Sequence, residues 1–353
     1  MKRGPEDRGA RPSRALVAAS RPDELSEALD PREDARVNED PGLSLMRGAP
    51  GGQTHCESQP RRDAATNARD GRAPHAFLPA PDFALQSTLE CGQVFHWERE
   101  GGGYVGVIGE APARVEQQGD ALLVSGVSAA VARDYFALDL PLPEICATFP
   151  TDPAMAAAAE FCRGMRIVRQ PPWECLATFI TSSMKQVAHI AQMSHAIRRR
   201  FGTRVRLGGH ELFAYPPPER LAAATEAGLR ECRLGFRAKT LLGSARMIAS
   251  GEVDLAVVAR LDDDAARAEL CRLPGVGVKV ANCALLFGFG RIAAFPIDVW
   301  IERVLRTLYF ARKRKVTTKR LREFSATYFG AYGGYAQQYL FHHARKTWPR
   351  GKS

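Results

Sequence analysis

In the stretch LPGVGVKVANC (residues 273–283), a proline and two glycines lead into an apolar helical run whose first turn carries one lysine, Lys279. Nineteen residues on, in AAFPIDVW, Asp298 stands among apolar residues directly before a second helical run, IERVLRTLYF. A lysine is ordinarily a solvated charge, and an aspartate before a helix is ordinarily its cap. Yet the neighbours of Lys279 are Val278, Val280 and ANCALLF, so its helix is expected to be largely buried. A partly desolvated lysine gives up its proton more readily and becomes a usable amine nucleophile. A nearby carboxylate would stabilise positive charge as a glycosidic bond breaks. Taken alone, the two residues leave both the bland and the catalytic readings open.

The elements that must position them can be read from the same stretch. LDDDAARAELCRLPGVGVKVANCALLFGF (about 262–290) reads as a helix, a five-residue turn and a second helix. Pro274 is expected to end the first helix. Gly275 and Gly277, on either side of Val276, permit a tight turn that exposes consecutive backbone N–H groups. At the positive end of a helix those amides suit a DNA phosphate, which they position against without reading sequence. An ordinary helix–turn–helix corner would look the same.

Upstream, from Phe77 to about Val124, FALQSTLECGQVFHW, GGYVGVIG and ALLVSG are short runs separated by Gly-rich or charged turns, a pattern that predicts an antiparallel sheet. After Ala129 the period lengthens. AMAAAAEFCRGM, WECLATFITSSMKQVAHIAQMSHAIRRRFG with a polar break at TSS, PPPERLAAA, FRAKTLLGSARMIAS and LDDDAARAELCRL all predict helices. The fold class is therefore α+β: a small antiparallel-sheet domain over 76–165, followed by a mainly helical domain over 166–348 that packs against it.

The combination LPGVGVKVANC … FPIDVW resembles the helix–hairpin–helix–Gly/Pro–Asp superfamily of DNA base-excision glycosylases. ECGQVFHW, WECLATFITSS, LGFRAK and YGGYAQQYLFHHAR resemble its 8-oxoguanine branch. The resemblance covers about residues 78–348. It implies that Lys279 attacks C1′ of the damaged nucleotide and that Asp298 assists. It further implies that the lesion is flipped into a pocket. There the Gly92 carbonyl would accept from the N7–H unique to 8-oxoguanine, Gln337 would face the Watson–Crick edge, and Phe341 and Cys283 would sandwich the base. Local readings stand beside these: Gly92 as a strand turn, Phe341 as core, Cys283 as a small buried residue.

This chain departs from the family on the side that faces the opposite strand. Met184 stands where the family has an asparagine filling the gap left by the flipped base, and His189 replaces an arginine that contacts the opposite cytosine. Phe236 keeps the ring of a wedging tyrosine without its hydroxyl, Trp300 replaces a phosphate-contacting histidine, and Arg237 retains a second cytosine-reading arginine. Discrimination for cytosine opposite the lesion is therefore expected to weaken.

The function implied is a bifunctional 8-oxoguanine glycosylase and β-lyase acting on double-stranded DNA. An alkylated-base glycosylase is the near alternative, against which Lys279 argues. A non-catalytic DNA-binding protein is the remote one. No cofactor is required on this reading; a monovalent or divalent cation at the hairpin is left open.

Charge agrees with a polyanionic partner. The chain carries +10 overall, yet residues 1–75 hold 13 Lys/Arg and 13 Asp/Glu and no Phe, Tyr or Trp, so the whole excess lies on 76–353. The basic runs RRRFGTRVR (198–206) and ARKRKVTTKR (311–320) predict a steep salt dependence of binding. Eight scattered cysteines without a C-x-x-C pair argue against a structural metal centre and fit a reducing compartment. No run is apolar enough to span a membrane. A monomer is expected, in the cytoplasm or nucleoid of a bacterium or the nucleus of a eukaryote, with organelle targeting left open.

Residues 1–75 have little to bury and are predicted to be a disordered tail. A chain starting near residue 76 should therefore fold and excise at the full-length rate. A loss of specific activity in the folded truncation would show that the tail takes part.

Overall fold

The computed structural model describes residues 75–311 and 315–349. Apart from His75, the proposed disordered tail lies outside the described residues, as do 312–314 of the second basic run.

Apolar side chains in alternation pleat the first layer. Strands β1 (His75–Pro79), β2 (Glu98–Glu100), β3 (Gly103–Ile108), β4 (Ala111–Gln118) and β5 (Ala121–Ser125) form one antiparallel sheet in the order β1-β5-β4-β3-β2. Its two-residue turns set the register, with Glu100 opposite Gly103, Ile108 opposite Ala111 and Gln118 opposite Ala121. Strand β4 had not been foreseen. Only Ala113 and Val115 of APARVEQQ are buried, and the charges between them hide the alternation.

FALQSTLECGQVFHW, expected as a strand, instead forms helix α1 (Leu85–Glu90) and an irregular turn. Leu85, Thr88 and Leu89 bury at helical spacing. Gln117 reaches across to hold the helix start, accepting from Leu85 N at 2.8 Å and donating to the Phe83 carbonyl at 2.6 Å.

Helices α2 (Ala129–Tyr135), α3 (Leu142–Ala147) and α4 (Pro153–Phe161) follow, then α5 (Pro172–Thr181) and α6 (Val187–Phe201) with the foreseen break between them. A second hairpin, β6 (Arg204–Leu207) and β7 (His210–Phe213), was not foreseen within the helical part. Its Leu212 and the adjoining Ala214 cover Val105 and Val107, which explains why β3 is buried along its whole length. The remaining helices are α7 (Pro218–Ala222), α8 (Glu226–Leu229), α9 (Arg237–Ala249), α10 (Leu255–Val258), α11 (Asp263–Cys271), α12 (Val278–Phe287), α13 (Val299–Val304), α14 (Thr318–Tyr328) and α15 (Gly333–Thr347). None of the described helices is long and apolar enough to cross a membrane.

The expected seam at 165/166 is not where packing divides. Leu142, Ile145, Met155, Ala158 and Cys162 of α3, α4 and the following turn join the large helical core, in contact with Tyr339 and its neighbours on α15. The smaller core consists of the sheet with α1 and α2, together with Val168.

Candidate active site

Helix α11 opens on Asp262, whose carboxylate accepts from Asp264 N and Ala265 N at 3.0 and 2.8 Å. It ends at Cys271, ahead of the expected stop at Pro274. In the turn, Gly275 has φ +78°, and a Cβ there would lie 2.9 Å from Thr240 Cβ, so both conformation and space demand glycine. Gly277 does not share that demand: it caps α12 in extended geometry at φ −95° with open space around it. Val276 corrects the picture of consecutive outward amides, because its N–H donates to the Leu273 carbonyl at 3.1 Å and its side chain is buried. The amides available to a phosphate are those of Gly277 and the first turn of α12. The first bond within that helix begins only at Ala281, which donates to Gly277.

Lys279 is the second residue of α12 and half-buried. Its ammonium lies 5.4 Å from the centroid of the Phe179 ring, and Cys283 follows one turn on, within reach of its charge. Phe179 is itself fixed by stacking on Phe287 at 5.5 Å. Burial pushes the Cys283 thiol up to about 11, with the charge of Lys279 opposing and that of Asp298 adding, so the thiol is protonated at neutral pH.

Asp298 does cap α13, accepting from Ile301 N at 2.8 Å. It also senses Lys279. Burial raises its carboxyl above the usual range, against the N–H of Ile301, the charge of Lys279 and the N–H of Trp300. The helix cap thus also lies within reach of the Lys279 charge. Asn282 locks this arrangement: its amide donates to the Phe295 carbonyl at 3.3 Å, and its oxygen accepts from Arg267 Nε at 2.8 Å. Sequence reasoning missed Asn282, although a polar residue inside VANCALLF was the available signal.

The other predicted residues gather on α15. Gly92 has φ +93°, and a Cβ on it would stand 3.3 Å from Phe341 Cε1 and 3.4 Å from Val187 Cγ2, so the turn lies directly against Phe341. Gln338 donates to the Cys91 carbonyl at 3.3 Å and Arg345 to the Glu90 carbonyl at 2.7 Å, tying the turn to α15. Gln93, wholly buried, holds it from behind by bonds to Thr88, Arg166 and Val168. Gln337 lies one turn before Phe341. It is 4% exposed and its Oε1 has no partner, which costs about 1–3 kcal/mol unless a ligand supplies a donor. Cys283 and Phe341 belong to the same core, but the ring's charged neighbour is Arg345, 5.5 Å away.

On the opposite-strand side, Met184 has φ +55° and is 91% exposed, and Phe236 is 59% exposed. His189 is exposed near the start of α6. Arg237 is 5% exposed, and its guanidinium donates to the carbonyls of Ser183 and Leu234. Trp300 stands half-buried beside Arg303, whose guanidinium lies 5.9 Å from its ring and 5.3 Å from that of Trp348.

Comparison with known proteins agrees with this geometry. A family model described as the N-terminal domain of 8-oxoguanine DNA glycosylase matches residues 77–176, and the HhH-GPD superfamily base excision DNA repair protein model matches 177–327. The two models meet within α5, later than the boundary expected from sequence. The chain is 31% identical over 284 residues to an N-glycosylase/DNA lyase of Arabidopsis thaliana, covering 75% of this chain and 78% of that protein. A probable N-glycosylase/DNA lyase of Methanothermobacter thermautotrophicus is 29% identical over 302 residues, 76% of this chain and 96% of the relative. Among solved structures, the Clostridium acetobutylicum 8-oxoguanine glycosylase/lyase in complex with double-stranded DNA superposes with a TM-score of 0.72 at 33% identity, over 75% of this chain and 92% of the other. With both halves of the described fold matched by its models, the chain belongs to the 8-oxoguanine DNA glycosylase family of the helix–hairpin–helix base-excision superfamily.

Proposed function

We propose that the protein is a bifunctional DNA glycosylase/AP lyase that excises 8-oxoguanine from double-stranded DNA. The observation that carries this reading is that Lys279, at the entrance of the hairpin's second helix, lies within electrostatic reach of the half-buried Asp298 carboxylate that caps α13. The hairpin amides grip a phosphate while the lesion swings into the space beside α15. There the orphaned Gln337 oxygen accepts from the N–H donors of the guanine edge, and the Gly92 carbonyl accepts from N7–H.

The Lys279 amine, once deprotonated, forms a bond to C1′ as the glycosidic bond breaks and its electron pair leaves with the base. Asp298 stabilises the positive charge that develops on the sugar. Ring opening yields a Schiff base with loss of the second amine proton. Removal of a C2′ proton then expels the 3′ phosphate, and water releases the lysine. The protein acts as a monomer without a cofactor in this reading. The experiment is a panel of duplexes with oxidised and alkylated bases, assayed for base release and borohydride trapping. Excision confined to alkylated bases would overturn it.

Relaxed choice of the opposite base follows. Met184 offers no hydrogen bond, the His189 imidazole lacks the planar fork of an arginine, and Arg237 bonds the Ser183 carbonyl. Single-turnover excision of 8-oxoguanine should differ little among C, T, G and A opposite. Because a bidentate base contact is worth about 1–3 kcal/mol, His189→Arg should raise the preference for cytosine by about tenfold or more. A wild-type protein that already rejects T, G and A strongly would sink the idea.

A further inference from the structure

The arginine that the family resemblance assigns to base reading is 5% exposed and bonded to two backbone carbonyls. The loop between α5 and α6 turns at Ser182–Lys185, where the Lys185 amide donates to Ser182 O at 3.1 Å, and exposes Met184 at φ +55°. A left-handed conformation costs a side chain such as methionine about 1–2 kcal/mol, and Met184 has no packing to offset it. Something else must hold the loop. Arg237 Nε donates to the carbonyl of Ser183, the residue just before Met184, at 2.8 Å, and Nη2 donates to the same oxygen. Nη1 donates to Leu234 O at 3.3 Å, within the second exposed loop. That loop also bends through left-handed residues, Arg233 at φ +64° and Gly235 at φ +58°, before presenting Phe236. The Arg237 guanidinium lies 4.2 Å from the centroid of the Phe236 ring.

One buried cation is therefore bonded to the backbone behind one exposed apolar tip and stacked beneath the other. We infer that Arg237 is a positioning residue that joins Met184 and Phe236 into a single apolar wedge, and that it does not read the base opposite the lesion. The physical division is simple. A flipped base leaves a stacking gap, which apolar surface fills without regard to sequence, whereas base choice requires free donors in fixed directions. Arg237 points three of its five N–H groups at two carbonyls and, at 5% exposure, presents little of the remainder to a duplex. Its planar fork suits this task better than lysine would, because two nitrogens converge on one oxygen while the face stays free for the ring.

The inference rests on the reading that the protein binds lesion duplexes, so its test separates the wedge from the chemistry. Wild type, Arg237→Met and Arg237→Lys are compared in single-turnover excision of 8-oxoguanine opposite C, T, G and A. They are also compared, without chemistry, by the fluorescence rise of 2-aminopurine beside a tetrahydrofuran abasic site in duplex DNA. Loss of positioning predicts a fall of about tenfold to a hundredfold in excision, equal within threefold for all four opposite bases, with a smaller 2-aminopurine rise. Arg237→Lys, which keeps the charge and one donor, should fall between wild type and Arg237→Met, and it remains readable if the methionine variant fails to fold. A loss confined to cytosine would make Arg237 a base reader. Unchanged excision and fluorescence in folded variants would equally overturn the proposal. If wild type releases no 8-oxoguanine at all, the assigned substrate fails, while the abasic duplex still decides the role of Arg237.

Discussion

Lys279→Gln should abolish the borohydride-trapped complex on an intact 8-oxoguanine duplex. It should lower base release by about 10⁴-fold or more, the order seen when an enzyme loses its covalent nucleophile. Three observations make this the largest effect expected. Lys279 stands in the first turn of α12, its ammonium lies 5.4 Å from the centroid of the Phe179 ring, and its charge acts on both Cys283 and Asp298. Glutamine keeps the helix propensity of lysine and most of its unbranched stem, so the fold should survive. The lost cation–π contact is worth about 0.5–1 kcal/mol, too little to unfold the protein. Duplex affinity, measured at one fixed salt concentration, should change little beside the catalytic loss. The substrate must carry the intact lesion, because an abasic site can trap any amine. A Lys279→Gln protein that still traps would place the nucleophile elsewhere.

Asp298→Asn should slow single-turnover excision by about 10²–10³-fold while leaving fold and DNA affinity nearly intact, as expected when one electrostatic contact to a developing charge is removed. Asparagine caps helices as well as aspartate does, so the bond to Ile301 N can be kept. The sign of the pKa shift supports the same expectation for stability. Burial raises the Asp298 carboxyl, so the folded state binds its proton more tightly than the unfolded chain. The ionised group therefore opposes folding at pH values above its folded-state pKa, and this opposition fades as pH falls towards the unfolded value. Replacing it with a neutral isostere removes that penalty. The same shift predicts that wild-type excision declines on acidification at a pH above the ordinary carboxylate range, and that this limb vanishes in Asp298→Asn. Excision that hardly changes would leave Asp298 a helix cap and nothing more.

How much of this was legible beforehand depends on how local the physics is. The hairpin helices, the break between α5 and α6, and Lys279 on the first turn of α12 were readable, because helical spacing and a glycine-bracketed turn are encoded within about thirty residues. The five-stranded sheet was legible as a class but not strand by strand. Strand β4 hides behind alternating charges, and α1 lies in a run whose apolar residues fit either period.

By itself, the sequence determined the α+β class and the succession of a sheet-bearing part and a mainly helical one. It also determined the family, through residues spread from Gly92 to Phe341, and the two groups expected to carry the chemistry. Only the tertiary structure decided what those residues touch. It made Asp298 a helix cap within reach of the Lys279 charge, left the Gln337 oxygen without a protein donor, and used up the Val276 amide inside its own turn. It also turned Arg237 inward onto Ser183, although its side chain alone suits either a carbonyl or a base edge. The reason is physical: a guanidinium or an amide binds whichever partner the fold brings within about 3 Å, and that partner comes from residues far away in the chain.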